Sequence, residues 1–382
     1  MSQILCVGEM VIDFLPGSEK ASYIRKAGGA PANVAIAAAR QGCKAAFCGM
    51  VGDDDFGHFL MDTLKENGVE QCVRELTREA TTTMAFVTLD EQGDRSFTFA
   101  RKPGADMLLT REHIRPEFLQ AADVVHAGSC SLSKEPAAGA TVYALQEGHR
   151  LGKLVSFDVN YRNLMWDDDR NAASAAVHAV LPFVDLLKIS EEEADMLGGE
   201  ENIPALMERN GIALVIETLG SRGARCYWRG QILGLGGLKA ECVDTCGAGD
   251  AFWGGFLSSL LQAGVRTPAD LTEERILSAM KRGNIAGWLC VQKKGRNRVP
   301  AYRAGGRALR EGAVLLMDLW KQKCILAPSL ISCCDLCNLE TSVRALETAG
   351  IGLLHVDILD GYFSPACLWA STRYGSSANV RS

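Results

Sequence analysis

Through the first 300 residues, short apolar runs alternate with stretches of helical period. Residues 3–7, 45–50, 124–127, 154–158, 186–189 and 213–217 read as buried strands, rich in Val, Ile, Leu and Ala. Residues 30–41, 55–67, 137–149, 171–180 and 191–197 between them carry apolar positions three and four apart, the pattern of amphipathic helices. Strands alternating with helices predict an α/β domain whose mainly parallel sheet is covered on both faces. Two stretches break the rhythm. Residues 81–89 and 96–101 alternate apolar and polar around Glu91-Gln92-Gly93-Asp94, which predicts an antiparallel hairpin serving as a flap. Residues 224–237 are Gly-rich and β-like, and predict a meander near the sheet edge. After about residue 303 a basic, Gly-rich stretch reads as a linker (306–322), and a new strand signal starts at Cys324.

Composition narrows the function classes. The 382 residues are 47 % apolar and 23 % charged, with 40 basic against 46 acidic side chains, net −6. A mildly acidic chain without a basic stripe predicts no nucleic-acid partner. With no apolar run of membrane-spanning length and no basic amphipathic stretch, no membrane partner is expected either. Residues 1–14 carry Glu9 and Asp13 within their apolar stretch, which argues against a signal peptide. The 14 cysteines are scattered through apolar segments, so reduced thiols and a cytoplasmic location are expected. His58, His113, His126 and His178 have no partner spacing and read as helix or strand surface.

The chemistry concentrates in a few turns. Val243-Asp244-Thr245-Cys246-Gly247-Ala248-Gly249-Asp250 feeds a long apolar helix at 251–262. Small residues there let backbone N–H groups converge at a helix N-terminus, which favours an anion. Taken alone, Asp250 is equally a cap and the glycines a tight turn. Gly28-Gly29-Ala30-Pro31-Ala32-Asn33 is a second glycine pair entering a helix. Gly49-Met50-Val51-Gly52-Asp53-Asp54-Asp55-Phe56-Gly57 and Ser190-Glu191-Glu192-Glu193 are acidic helix starts.

In this order and spacing the segments resemble the PfkB (ribokinase-like) family of sugar kinases, over about residues 3–300. Residues 28–35 and 49–57 resemble its N-terminal signature, and 244–256 its C-terminal one. The resemblance implies a three-layer α/β/α domain over 1–305, with a β lid from about 10–27 and 81–103. It implies transfer of the γ-phosphoryl group of ATP to a sugar hydroxyl. Asp250 matches the family's general base, and the amides of Gly247, Ala248 and Gly249 its anion hole. Asp13, Gly28, Gly29, Asn33, Arg101 and Arg162 match the sugar site. Ser190, Thr218, Gly220, Gly223, Gly247 and Gly249 match the nucleotide site. Glu193 matches the acidic residue that holds Mg²⁺ through water, and Ser190 stands where many members have Asn. Asp244 matches part of a monovalent-cation site, for which K⁺ is the candidate, although Cys246 replaces the usual Thr or Ser. At Lys294-Gly295-Arg296-Asn297-Arg298 polar residues stand where the family has small apolar ones. A homodimer joined through the flap is common in the family and is expected here.

The sugar loop, Asp158-Val159-Asn160-Tyr161-Arg162 with Trp166, and the segment 93–101 look like fructokinases and 2-keto-3-deoxygluconate kinases. An Arg pair at 101 and 162 could clamp a carboxylate or meet sugar hydroxyls; fructose is the favoured substrate and the keto-acid the alternative. Residues 325–330 and 355–361, with a helix at 339–349 between them, resemble the start of ribulose-phosphate 3-epimerase, His355 and Asp357 matching a metal ligand and an acid/base. Residues 323–382 are too short for an eight-stranded barrel, so epimerase activity is not expected. Cys333, Cys334 and Cys337 read as structural thiols rather than a metal site. The rival from another class is a sugar- or nucleotide-binding protein without turnover.

Overall fold

The computed structural model describes residues 3–17, 19, 22–89, 95–239, 242, 244–292, 325–328, 351–359 and 369–373. The chain divides into two units, Met1–Tyr302 and Arg303–Ser382. In the first, the strands are β1 (Ile4–Val7), β2 (Val11–Pro16), β3 (Tyr23–Gly28), β4 (Ala45–Cys48), β5 (Glu70–Gln71), β6 (Met84–Leu89), β7 (Arg95–Ala100), β8 (Val124–Gly128), β9 (Leu154–Asp158), β10 (Leu186–Ser190), β11 (Leu214–Thr218), β12 (Gly223–Trp228) and β13 (Gln231–Gly236). The helices are α1 (Ala30–Arg40), α2 (Asp55–Glu66), α3 (Pro116–Ala121), α4 (Ala137–Arg150), α5 (Arg170–Val180), α6 (Glu191–Met196), α7 (Ile203–Asn210), α8 (Ala248–Gln262) and α9 (Glu273–Val291).

The central sheet runs β13-β12-β11-β10-β9-β8-β1-β4-β5. Only β12 runs against the others, pairing antiparallel with β11 and β13 in the expected meander at one edge. Its inner strands are apolar on both sides because helices cover both faces. Helices α1, α2, α8 and α9 pack on one face with Ile4, Cys6, Val124 and Leu154. Helices α4, α5 and α7 pack on the other, against Val155, Phe157, Leu187 and Val215. The chain leaves β1 toward β4 on one side and later toward β8 on the other. The crevice at the C-terminal ends of these strands is where open α/β sheets bind ligands.

Helices α3, α7 and α9 and the setting of His126 differ from the pattern-based expectations. Helix α9 has no predicted counterpart: its buried positions Ile276, Ala279, Met280, Gly283, Ala286 and Cys290 are helically spaced, but half are small residues that give little hydrophobic contrast. His126 is not at a surface. It is fully buried in β8, and its Nδ1 lies 3.0 Å from Ser156 Oγ, which also accepts from Trp253 Nε1. Burial, with the Lys188 charge nearby, pushes its imidazole down to about 3, so it is neutral in the fold. The hairpin pairs through β6 with β2, so the stretches 10–27 and 81–103 expected of the lid form one sheet. The lid is a four-stranded sheet, β3-β2-β6-β7, in which Phe14 stacks on Phe86 at 4.8 Å.

In the second unit, β14 (Ile325–Pro328) pairs in parallel with β15 (Ile351–Leu359), as expected of its βαβ pattern. The antiparallel partner β16 (Trp369–Arg373) has no sequence expectation behind it. The turn 91–94, the loop 294–298, the linker 306–322, the helix at 339–349 and Cys333, Cys334 and Cys337 lie outside the described residues. So do the side chains of His355 and Asp357.

Candidate active site

Helix α8 supplies the centre. Gly247 takes a left-handed conformation, φ 76°, as its N-cap, a geometry costly for a residue with a Cβ. The turn thereby directs the first-turn amides of α8, which lack intrahelical acceptors, outward. One of them is used locally, since the Ala248 amide donates to Thr245 O at 3.2 Å. Asp250 follows in this turn and is 7 % exposed. Asn33 Nδ2 donates to its Oδ2 at 2.8 Å, and Asn160 Nδ2 to its Oδ1 at 3.2 Å. Asn33 comes from α1, where Pro31 fits the first helical turn. Asn160 follows β9 at φ 35°, a sparsely populated region for a non-glycine residue and one found at functional sites.

Asp250 lines a pocket of about 260 Å³ together with Asp13, Gly29, Arg162 and Glu9. Gly28 holds the strand pair β2–β3 close: a Cβ there would sit 2.1 Å from Asp13 Oδ2. Gly29, at φ 102°, passes so near β2 that a Cβ would lie 2.4 Å from Glu9 O. Arg162 stands at the pocket, its Nη1 donating to Tyr161 O.

Arg101 is placed differently from the expectation of a substrate-facing cation. Its Nε and Nη2 donate to Asp106 Oδ2 at 2.9 and 2.8 Å, and its side chain is only 6 % exposed. Asp106 in turn accepts from Thr83 Oγ1. A guanidinium satisfied by a buried carboxylate has little reason to leave it, and Arg101 does not line the pocket.

The residues expected at a nucleotide site sit at the C-terminal ends of β10 and β11. Ser190 caps α6: its Oγ accepts from Glu193 N, and Glu193 Oε2 accepts from Ser190 N at 2.8 Å. A hydroxyl in place of the family's Asn is therefore structurally sufficient here. Thr218 Oγ1 donates to Ile189 O. Gly220 and Gly223 both have positive φ, and a Cβ on Gly223 would meet Leu235 O at 2.1 Å. Asp244 is 6 % exposed, and its Oδ1 accepts the Cys246 amide at 3.0 Å.

Burial, reinforced by the Asp158 charge, raises the Glu193 carboxyl above its usual range; its Oε1 also accepts from Tyr161 N at 2.7 Å. Among the described residues no three His, Cys, Asp or Glu side chains form a metal-ligand group. The donor set fits a Mg²⁺ ion carried by phosphates and touched through water, and not a protein cage.

Sequence reasoning missed several residues of this centre. Asp158 and Lys188 pair across β9 and β10, with Nζ 2.9 and 2.8 Å from the two carboxylate oxygens. The signal was a lone charge in each of two otherwise apolar strands. Burial works against the Lys188 charge, but Asp158, Glu193 and Asp250 together hold it above the ordinary lysine value. Asn160 and Glu9 lay inside motifs already singled out, yet nothing local marked them.

Known proteins share the sequence pattern and the fold that carry this site. Residues 1–301 match the sequence profile described as pfkB family carbohydrate kinase. Fructokinase-1 of Zea mays is 38 % identical over 303 residues, covering 76 % of this chain and 92 % of that protein. The crystal structure of a fructokinase from Xylella fastidiosa with bound ATP superposes with a TM-score of 0.73 at 31 % identity, covering 81 % of this chain and 99 % of that one. A fructokinase from Vibrio cholerae O395 with fructose, ADP and calcium gives 0.71 at 33 %, covering 81 % and 98 %. A double mutant of the latter carries potassium with fructose and ADP.

Proposed function

Because the chain belongs to the pfkB family of carbohydrate kinases, we propose that it phosphorylates D-fructose with ATP, giving fructose 6-phosphate and ADP. The observation that carries this reading is Asp250, buried at the α8 N-terminus and held by Asn33 and Asn160 at the wall of a sugar-sized pocket. The sugar hydroxyl gives its proton to the Asp250 carboxylate as its oxygen bonds to the γ-phosphorus. The bond from that phosphorus to the bridging β–γ oxygen breaks, and ADP departs with the electron pair. Amides of Gly247, Ala248 and Gly249 stabilise the charge on the transferring group, with the Ala248 amide released from Thr245 as the anion arrives.

Asp13, Gly28, Gly29, Asn33 and Arg162 hold the sugar in this reading, and Ser190, Thr218, Gly220 and Gly223 border the nucleotide. Mg²⁺, with Glu193 holding its water shell, would neutralise phosphate charge. K⁺ beside Asp244 is the corresponding monovalent ion. Fructose is favoured over 2-keto-3-deoxygluconate because the pairing of Arg101 with Asp106 leaves no second guanidinium for a carboxylate clamp. The described thiols form no disulfides, in keeping with a cytoplasmic setting. Among the described residues no helix is long and apolar enough to cross a membrane.

The test is ADP release from ATP·Mg²⁺, with and without K⁺, across fructose, 2-keto-3-deoxygluconate, ribose, glucose and a nucleoside. Fructose is expected to give the highest kcat/KM; a keto-acid preference would overturn the substrate assignment. Binding without ADP release would favour the non-catalytic rival. The expected homodimer draws support from Tyr23 and Ile24, exposed at 45 % and 41 % on β3, an edge strand of the lid. Light scattering should return twice the 41.1 kDa chain mass, and Ile24→Asp should lower it; a monomeric wild type sinks the dimer.

A further inference from the structure

One pocket-lining group has no task in the mechanism above. Glu9 is 3 % exposed, and its Oε1 accepts the amide of Ala30 at the start of α1 at 3.0 Å. Its Oε2 is buried with no hydrogen-bond partner among the described residues. An ionised oxygen left so is costly, whereas a neutral acid keeps Oε1 as a carbonyl acceptor for Ala30 and carries its proton on Oε2. Such a proton needs an acceptor, and among the described residues none lies within hydrogen-bond distance of Oε2.

We propose that Glu9 is a specificity-determining residue that, as a neutral acid, donates a hydrogen bond from Oε2 to an oxygen of the bound sugar. The proposal rests on the sugar-kinase reading of the pocket. A neutral donor suits a wall already carrying two carboxylates, Asp13 and Asp250, which accept from sugar hydroxyls. The groups around Glu9 agree. Burial raises its carboxyl to about 7 against the lowering effect of the Glu9 and Ala30 amides; Asp106 adds to the rise and Arg101, engaged by Asp106, opposes it. The Cys130 thiol also borders Glu9 and is pushed well above its usual range by burial, so it stays neutral. Arg162 lines the same pocket.

The sign follows directly. Below pH 7 Glu9 holds its proton and donates; above pH 7 it ionises and the donor is lost, so sugar binding weakens as pH rises. The experiment is calorimetric titration of sugar without ATP at pH 6.0 and 8.5, which separates Glu9 from the catalytic step. It uses the member of the panel that binds wild type most tightly. Wild-type Kd is expected to rise at least about fivefold between the two pH values. In Glu9→Gln the amide carbonyl keeps the Ala30 bond and the NH₂ replaces the acid proton. It should bind within about twofold of wild type at pH 6.0 and lose the pH dependence. Glu9→Met should bind at least about tenfold more weakly at both pH values. A Glu9→Gln curve that tracks wild type, or one as weak as Glu9→Met, overturns the proposal, as does wild-type affinity in folded Glu9→Met. Should Glu9→Met not fold, the comparison of Glu9→Gln with wild type decides alone. Sugar binding without ADP release would strike the kinase reading and leave this comparison standing.

Discussion

Asp250→Asn is expected to lower the rate of ADP formation by about 10²–10⁴-fold, the usual worth of a positioned general base. Its fructose Kd should change by less than about threefold. The asymmetry follows from the geometry. Asparagine keeps the size of the side chain and an oxygen that can accept from Asn33 or Asn160, so the pocket wall stays in place. What disappears is the group that takes the hydroxyl proton as the O–P bond forms. The check is kcat by coupled ADP assay alongside calorimetric binding of fructose. Turnover within tenfold of wild type would remove Asp250 from the role of base.

Lys188→Met is expected to produce the largest loss of stability. The Lys188–Asp158 pair lies inside the sheet, with side chains 6 % and 0 % exposed. Removing the ammonium leaves an uncompensated buried carboxylate, at a cost of about 3–5 kcal/mol, or roughly 5–15 °C in Tm. The double variant Lys188→Met/Asp158→Asn should recover most of that loss, because no charge then remains buried. Activity is expected to behave differently. Lys188 Nζ lies 3.3 Å from where a Cβ on Gly249 would sit, beneath the first turn of α8. If the first-turn amides of α8 bind the transferring phosphoryl as proposed, its positive charge lies where it supports them, and kcat should stay low in both variants. Thermal melts and ADP assays on the three proteins separate the effects. Equal melting of single variant and wild type would show that the pair is not carrying the predicted load.

Much of the architecture was legible in the residues. The strand at 154–158 was read with the bounds it has in the fold. The strands around residues 4, 45, 124, 186 and 214 and six helices lie within a few residues of the ends read from the sequence. These readings succeeded because hydrophobic period, caps and glycine turns act over a few residues. Asp54 shows how local the information is: it caps α2 by accepting from Phe56 N and Gly57 N, two and three residues onward. The turn at Gly247 and the glycine pair at Gly28 and Gly29 were readable for the same reason.

The errors share a different cause. Arg101 was read as facing substrate because a guanidinium beside a binding motif suggests an anion partner. The fold gives it Asp106 instead. His126 looks like a surface residue in the sequence, but β8 lies next to the central, helix-covered strand of the sheet. Helix α9 escaped because Gly283, Ala286 and Ala279 bury without looking hydrophobic.

The sequence by itself therefore determined the family, the α/β alternation, the glycine turn that opens α8 and the candidate base within it, all carried by short-range patterns. Only the tertiary structure decided which side chains meet. Asn33 reaches Asp250 across 217 positions of sequence, Lys188 finds Asp158 through the register of two parallel strands, and Glu9 is buried against the start of α1. Such contacts depend on packing between elements distant in the chain, and with it come the burial and charge proximity that set protonation.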